Sequence, residues 1–176
     1  MRFNRIMIFG LPGAGKSTFA LKLGQLLNIP VFHLDRYFFK EGWKERDYQE
    51  FLEIQKKLVN QEQWIIEGNA TRSLEMRYAR ADVVIYFHYS RILCLWRLVK
   101  RAFFPGACMQ DVPEGAAKNI RWRLITYMWG FDTRFARDIE MLRQKYPSAK
   151  MYVFSRDQDA ENFLRSLKEA LSRRKN

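Results

Sequence analysis

The sequence lacks long apolar runs and is poor in cysteine. Its longest apolar runs, such as Val83–Phe87, are strand-sized, whereas a membrane-spanning helix needs about 20 apolar residues. No apolar segment of about 7–15 residues follows the arginines of Met1–Arg5, so we expect no secretory signal and a cytoplasmic location. The two cysteines, Cys94 and Cys108, are then expected to be reduced thiols and not a disulfide framework.

Acidic residues are scarce relative to basic ones. The 31 Lys and Arg outnumber the 19 Asp and Glu, which gives a net charge of +12 in 176 residues. Apolar residues make up 48% of the chain, enough to build a core, which excludes an intrinsically disordered protein. The length predicts a single domain over residues 1–176. The positive charge predicts a polyanionic partner, either a phosphorylated small molecule or a nucleic acid.

Short apolar runs alternate with longer segments of helical period, as is typical of βαβ units and a parallel sheet. The predicted strands are Arg5–Phe9, Val31–Leu34, Trp64–Glu67, Val83–His88 and Lys150–Phe154. The predicted helices are Lys16–Leu27, Asp47–Asn60, Arg91–Phe103, Ala116–Trp129, Arg134–Lys145 and Ala160–Ser172. Two prolines and two glycines in Pro105–Gly115 predict a loop there.

The most specific motif is G-x-x-x-x-G-K-[ST], near the N-terminus. It is formed by Gly10, Leu11, Pro12, Gly13, Ala14, Gly15, Lys16, Ser17 and Thr18. The motif follows a predicted strand and opens a predicted helix, which is the context that a phosphate-binding P-loop requires. The glycines allow backbone N–H groups to wrap around phosphate oxygens at the helix N-terminus. Lys16 is then predicted to reach the β- and γ-phosphates of ATP, and Ser17 to ligate Mg²⁺.

Two carboxylates follow predicted strands, at the sheet edge where α/β proteins bind their ligands. Glu67 ends the apolar strand Trp64–Glu67, a pattern that predicts an acid holding Mg²⁺ through a water molecule. Asp35 follows Val31–Leu34 and is predicted to orient a phosphate acceptor or to take its proton. The alternative for each acid is a helix N-cap or a surface carboxylate.

Half of the net charge lies in residues 91–137, where nine Lys and Arg outnumber three Asp and Glu by six. Arginine neutralises the charge that develops on phosphate oxygens during phosphoryl transfer, an effect of about 10³–10⁵ in rate. Arg97 and Arg101, spaced i, i+4, share a helix face and are predicted to act in this way. Arg134 and Arg137 are predicted to bind substrate from beyond the loop. The alternative is a solvated helix face.

With these motifs the chain resembles the nucleoside-monophosphate-kinase-like P-loop proteins, and within them the adenylate-kinase-related subgroup called DNA topology modulation proteins. Besides the P-loop, the matching segments are His33-Leu34-Asp35, Gly42-Trp43, Trp64–Asn69, Ala81-Asp82 and Cys94–Arg101. The resemblance implies a five-stranded parallel sheet in the order 2-3-1-4-5, flanked by helices. It also implies an acceptor-binding flap at about residues 36–62 and a helical lid at about residues 102–137.

The resemblance also implies residues that bind the acceptor. Adenylate-kinase-like enzymes end the third strand with an acid-glycine pair, followed by an arginine that contacts the acceptor phosphate. The matching positions are Glu67-Gly68 and Arg72, and Trp43 is expected to line the same pocket. The Phe-Pro-Arg of those enzymes is replaced by Asn69-Ala70-Thr71-Arg72, which argues against a nucleoside monophosphate as acceptor and leaves the ATP side unchanged.

Together these features predict an ATP-dependent kinase that transfers the γ-phosphoryl group of MgATP to a nucleoside, nucleotide or sugar-like acceptor. Its predicted catalytic residues are Lys16, Asp35, Arg97 and Arg101. Two alternatives stay open, namely a slow NTPase, in which water replaces the acceptor, and a nucleic-acid-associated regulator of DNA topology that uses ATP as a switch. A nucleic acid is the less favoured partner, since the sequence carries no helix-turn-helix or zinc-finger signature.

Overall fold

The structure, a computed structural model, describes residues 3–40, 44–103 and 128–173, and among these it gives no side-chain description for 101–103 and 132–134. The predicted pocket residue Trp43 and the predicted loop Pro105–Gly115 therefore lie outside the described residues. The helix predicted over Ala116–Trp129 also lies outside them, except for its last two positions. The same holds for most of the lid expected at residues 102–137.

The described elements alternate between strands and helices along the chain. In order they are β1 (Arg5–Gly10), α1 (Lys16–Leu27), β2 (Val31–His33), α2 (Leu34–Phe38), β3 (Phe39–Lys40), β4 (Lys44–Glu45), α3 (Tyr48–Val59), β5 (Trp64–Glu67), α4 (Leu74–Tyr78), β6 (Val83–Phe87), α5 (Arg91–Phe103), α6 (Phe131–Lys145), β7 (Lys150–Phe154) and α7 (Asp157–Arg173). A 3₁₀ turn over Thr71–Ser73 precedes α4.

Five parallel strands form the central sheet in the order β2-β5-β1-β6-β7. Counted along the chain, this is the order 2-3-1-4-5, so the predicted α/β fold with a five-stranded parallel sheet flanked by helices is confirmed. The middle strand is β1, and its residues Ile6 to Phe9 are at most 1% exposed. Apolar residues occupy successive positions of this strand because helices cover both faces of a parallel sheet.

The helix that follows the P-loop is anchored by aromatic packing. The ring of Phe19 on α1 lies 5.3 Å from that of Phe87 and 5.5 Å from that of Phe154, centroid to centroid. Phe163 of α7 closes the cluster at 6.2 Å from Phe19. The cluster joins α1 to the ends of β6 and β7, so it fixes the helix N-terminus relative to the sheet edge.

Several element boundaries differ from the prediction by one to three residues. The second strand ends at His33 and not at Leu34, because the buried Leu34 begins α2. The helix α6 begins at the fully buried Phe131, three residues before the predicted Arg134. The helix α7 begins at Asp157 instead of Ala160, and Asp159 accepts hydrogen bonds from the backbone N–H groups of Ser155 and Arg156 at 2.9 and 3.2 Å.

Three short elements that the sequence did not predict lie in the flap region and just before it. They are the helix α2 and the antiparallel pair of two-residue strands β3 and β4, in which Phe39 lies opposite Glu45. The helix α3 runs over Tyr48–Val59, close to the predicted Asp47–Asn60, and the Asp47 carboxylate caps it. No helix within the described ranges is long and apolar enough to cross a membrane.

Candidate active site

The loop between β1 and α1 requires glycine at one position and leaves open space at another. Gly13 has φ +83°, and a Cβ atom there would lie 2.5 Å from the carbonyl oxygen of Cys94 on α5. Gly15 has φ +86°, but no atom lies within 4 Å of where its Cβ would be. The loop is therefore held tightly under α5, and the space at the N-terminus of α1 is open to a ligand.

The side chains of Lys16, Ser17 and Glu67 meet at this loop. The Ser17 hydroxyl donates a hydrogen bond to Glu67 Oε2 at 3.2 Å, and Lys16 Nζ lies 3.9 Å from Glu67 Oε1. Lys16 also donates to the carbonyl oxygen of Leu11, within the P-loop itself, at 3.0 Å. Both Lys16 and Glu67 are buried. The structure thus brings together the lysine, the hydroxyl and the acid that the sequence analysis assigned to one triphosphate site.

His33 is the fourth member of this cluster, a role that the sequence analysis did not assign to it. Its Nδ1 lies 3.0 Å from Glu67 Oε2, and the two residues are directly opposite each other on the paired strands β2 and β5. Burial opposes ionisation of Glu67, but the hydrogen bond from His33, the charge of Lys16 and the Ser17 hydroxyl outweigh it and lower the pKa of Glu67. Glu67 is therefore an anion at neutral pH.

Asp35 lies in the first turn of α2, two residues after His33. Although the residue is exposed, neighbouring protein atoms partly desolvate its carboxyl group. This partial desolvation raises the pKa of Asp35, and the negative charge of Glu67 raises it further, against the opposing charges of Lys16, His33 and Arg77. The two carboxylates thus have pKa values shifted in opposite directions, which is typical of a pair with different roles in acid–base chemistry.

The chain that leaves β5 contacts both the P-loop and the start of α2. The backbone N–H of Gly10 donates to Asn69 Oδ1 at 3.0 Å. Gly68 has φ +139°, and a Cβ atom there would lie 2.8 Å from the Cβ of Leu34. The predicted acceptor residue Gly68 thus provides the close contact between the end of β5 and the start of α2, next to Asp35.

A buried arginine that the sequence analysis missed supports this segment. Arg77 on α4 is fully buried, and its guanidinium donates to the carbonyl oxygens of Gly68, Asn69 and Ala70 at 2.7, 2.8 and 3.1 Å. These three hydrogen bonds from one planar guanidinium group fix the backbone after β5. The short helix α4 shows no periodic pattern, so no local signal separates Arg77 from the surface arginines.

Arg72, the predicted acceptor arginine, is exposed and packs against the flap. Its guanidinium carbon lies 4.1 Å from the ring centroid of Tyr48, the first residue of α3. This cation–π contact spans the gap between the end of β5 and the flap helix. Arg72 therefore joins the 3₁₀ turn after β5 to the start of α3.

The arginines of residues 91–137 are placed differently from one another. Arg97 donates to the Asp157 carboxylate at 2.5 Å and lies 5.5 Å from the ring centroid of Tyr89. Within the described residues, its charged partner is thus at the start of α7 and not in the P-loop. Arg137 is exposed on α6. Arg101 and Arg134 belong to α5 and α6, and their side chains lie outside the description.

The residues present fit a magnesium nucleoside triphosphate. In the described part of the chain, no group of three or more His, Cys, Asp or Glu side chains could hold a metal ion by itself. Mg²⁺ in a P-loop site takes much of its coordination from phosphates and water, together with one hydroxyl and an acid. The open space at Gly15, the Ser17 hydroxyl and the ionised Glu67 match this requirement.

Comparisons with known proteins support the fold. No family model matches the sequence, and no curated protein matches it. The structure is similar to shikimate kinase from Bacteroides thetaiotaomicron, with a TM-score of 0.57, 18% identity, and coverage of 96% of this chain and 98% of that one. It is also similar to a gluconokinase from Sinorhizobium meliloti 1021, with a TM-score of 0.54, 16% identity and full coverage of both chains.

A third similar structure is shikimate kinase from Acinetobacter baumannii in complex with shikimate. Its TM-score is 0.56 at 15% identity, and the match covers 97% of this chain and 94% of that chain. At these identities the likeness establishes the P-loop NTPase fold and not an activity. The resemblance to DNA topology modulation proteins stays a prediction, because no family model matches.

Proposed function

We propose that the protein is an ATP-dependent kinase that phosphorylates a hydroxyl group of a small molecule. The observation that carries the proposal is the convergence of Lys16, Ser17 and an ionised Glu67 beside the open P-loop, with Asp35 close by. The solved structures that share the fold are shikimate kinases and a gluconokinase, which supports a small-molecule acceptor.

On the donor side, MgATP supplies the γ-phosphoryl group when it is bound. The P-loop N–H groups and the N-terminus of α1 bind its phosphates, and Lys16 adds positive charge beside them. Ser17 would hold Mg²⁺ through its hydroxyl, and Glu67 would hold the ion through a water molecule. His33 is a positioning residue, because its hydrogen bond holds the Glu67 carboxylate in place.

On the acceptor side, Asp35 accepts a hydrogen bond from the reacting hydroxyl and takes its proton. A carboxylate with a raised pKa is a better base than an ordinary one, and this is the direction of the Asp35 shift. Gly68, Arg72 and Trp43 form the acceptor pocket in this proposal, and the flap over residues 36–62 covers it.

We further propose that residues 1–176 form one domain with a lid at residues 102–137. Arg101, Arg134 and Arg137 would approach the phosphates from the lid and its flanking helices when the site closes. Arg97 joins them only by exchanging its bond to Asp157 for one to a phosphate. Closure of this kind excludes water and favours transfer to the acceptor over hydrolysis.

An acceptor screen tests the proposal. ADP release is measured with MgATP and a panel of nucleosides, nucleoside monophosphates, sugars and small hydroxy acids. We expect one acceptor class to raise ADP release well above the rate in water, and Lys16→Ala to abolish the increase. If no acceptor exceeds water, the kinase proposal is wrong and the protein is a slow NTPase; undiminished turnover in Lys16→Ala would contradict both.

A nucleic-acid-associated regulator of DNA topology is a second candidate, favoured by the net charge of +12 and by the subgroup resemblance. Such a protein binds nucleic acid with an affinity that falls steeply with salt, with a log–log slope of about −0.9 per phosphate contact. Titration of labelled oligonucleotides at several salt concentrations measures this slope. A slope near zero would exclude the candidate.

A further inference from the structure

A second concavity lies at the opposite end of the sheet from the P-loop. It has a volume of about 650 Å³ and is lined by Arg5, Arg80, Asp82, Ser148 and Lys150, together with two alanines next to Arg80. We name it the basal pocket. Its volume falls within the range of about 300–1,000 Å³ typical of small-molecule sites. Arg5 and Gly10 are the two ends of β1, so the pocket and the P-loop are about 17 Å apart at a rise of about 3.3 Å per residue.

Arg5 and Asp82 neutralise each other in the basal pocket. Asp82 Oδ1 accepts a hydrogen bond from Arg5 Nη2 at 3.1 Å, and Asp82 Oδ2 accepts from the backbone N–H groups of Asn4 and Arg5 at 3.3 and 3.0 Å. Both carboxylate oxygens of Asp82, the one acid that lines the pocket, therefore already accept hydrogen bonds from residues at the start of β1. This pairing fixes one wall of the pocket and leaves Asp82 without an oxygen for the other cations.

Arg80 and Lys150 carry positive charge that no carboxylate compensates within the described ranges. Arg80 donates to a neutral group, Asn60 Oδ1, at 2.8 Å. Lys150 Nζ lies 5.2 Å from the ring centroid of Tyr152, a contact that leaves its three N–H donors available. With the Ser148 hydroxyl beside them, the pocket offers two cations and a neutral donor to a ligand.

We infer that the basal pocket binds a small anion that carries several phosphate groups. Arginine forms forked hydrogen bonds with phosphate, and lysine adds a mobile point charge. An open concavity of this volume has room for a compact ligand, whereas a nucleic acid strand needs an extended basic groove along its backbone. The proposed kinase chemistry uses none of these residues, so the site is independent of that proposal.

We use tripolyphosphate as the probe and measure its binding to the full chain by isothermal titration calorimetry. The salt concentration is about 0.1 M, because charges more than about 10 Å apart are then screened from each other. Lys16→Ala is introduced first, to remove the lysine of the P-loop. We expect one tripolyphosphate to bind per chain in this variant. Adding Arg80→Gln and Lys150→Gln should weaken binding at least tenfold, because both side chains lose their charge.

The matched control adds Arg165→Gln and Lys168→Gln instead, which also removes one arginine and one lysine. Both control residues are exposed on α7, and we expect less than a twofold change. Equal losses in the two sets of variants would overturn the inference, because net charge alone would then explain the binding. Loss of measurable binding in Lys16→Ala alone would also overturn it.

A parallel binding measurement with oligonucleotides distinguishes a small phosphate-bearing anion from a nucleic acid as the ligand. If a single-stranded or duplex oligonucleotide binds more tightly than tripolyphosphate and loses affinity in the Arg80→Gln, Lys150→Gln variant, the small-anion inference is wrong. The same variant with Lys16 intact should keep its acceptor-dependent ADP release. Failure of the acceptor screen with retained tripolyphosphate binding would refute the kinase proposal and leave this inference standing.

Discussion

Truncation of Arg77 tests how the segment after β5 is held in place. The guanidinium of this fully buried side chain donates to three successive carbonyl oxygens, those of Gly68, Asn69 and Ala70. Arg77→Ala removes all three donors at once. The bond to Gly68 is buried, whereas those to Asn69 and Ala70 are partly buried, so water can replace part of what the latter two lose.

The expected cost follows from this difference in burial. A buried carbonyl left without a donor costs about 1–3 kcal/mol, and we assign about 2 kcal/mol of that to Gly68. Water can reach the other two carbonyls, so the loss of each of their hydrogen bonds costs about 0.5–1 kcal/mol, the lower part of the range for the net contribution of a hydrogen bond to stability. Arg77→Ala should therefore lower the free energy of unfolding by about 3–4 kcal/mol, a large part of the roughly 5–15 kcal/mol of a typical domain.

Urea denaturation of the wild type and the variant measures this loss. Arg80→Ala is the matched control, since Arg80 is a nearby exposed arginine with one side-chain partner; we expect less than about 0.5 kcal/mol for it. Equal losses for Arg77→Ala and Arg80→Ala would refute the reasoning, because the three carbonyl contacts would then contribute nothing specific.

The pH dependence of activity gives an independent readout for Arg77. Its positive charge lowers the pKa of Asp35, against the larger effects of desolvation and Glu67. Removing that charge should raise the pKa of Asp35 and move the acidic limb of the pH–rate profile to higher pH. Arg77→Lys keeps the charge and should leave the limb in place. A shift of the same size in both variants would show that geometry, and not charge, is responsible.

Three further predictions concern the P-loop and its two carboxylates. Gly13→Ala should abolish ATP binding in fluorescence titrations, because the new methyl group would meet the Cys94 carbonyl 2.5 Å away at φ +83°; unchanged affinity would show that the loop can shift. Asp35→Asn should lower kcat at least a hundredfold with little change in ATP affinity, since it removes the proposed base; an equal fall in affinity would indicate a role in nucleotide binding instead. The pKa of Glu67 in the folded state is lowered from its ordinary value of 4.5. The ionised Glu67 therefore stabilises the fold above about pH 4.5, and this stabilisation is lost as the pH falls through the folded-state pKa. Glu67→Gln should flatten this part of the curve of unfolding free energy against pH, and an unchanged curve would contradict the lowered pKa.

The fold and the donor side of the site were predictable because their signals are local. The P-loop places strand, glycines, Lys16 and Ser17 within one stretch of chain, and Glu67 ends an apolar strand. His33 was missed because its role depends on which strand lies beside it. The strand order implied by the resemblance places the second and third strands next to each other, so His33 could have been paired with Glu67 from that order.

The arginines show why the rest was not predictable. The i, i+4 spacing of Arg97 and Arg101 sets a helix face, but it does not identify the element that this face meets. Arg97 bonds to Asp157, which is 60 residues further along the chain, and sequence spacing gives no information about such a partner. Arg77 is buried in a five-residue helix, too short for a periodic pattern to reveal an inward side.

The hydrogen bond between Gly10 and Asn69 has a consequence for how the two halves of the cleft respond to ligands. Gly10 is the first residue of the phosphate loop, and Asn69 belongs to the segment proposed to bind the acceptor. This bond, together with the one from the Gly68 N–H to the Ile8 carbonyl oxygen at 3.1 Å, joins the end of β1 to the segment after β5. If the protein binds a nucleotide and an acceptor as proposed and these bonds couple the two sites, each ligand changes the affinity of the other by the same factor.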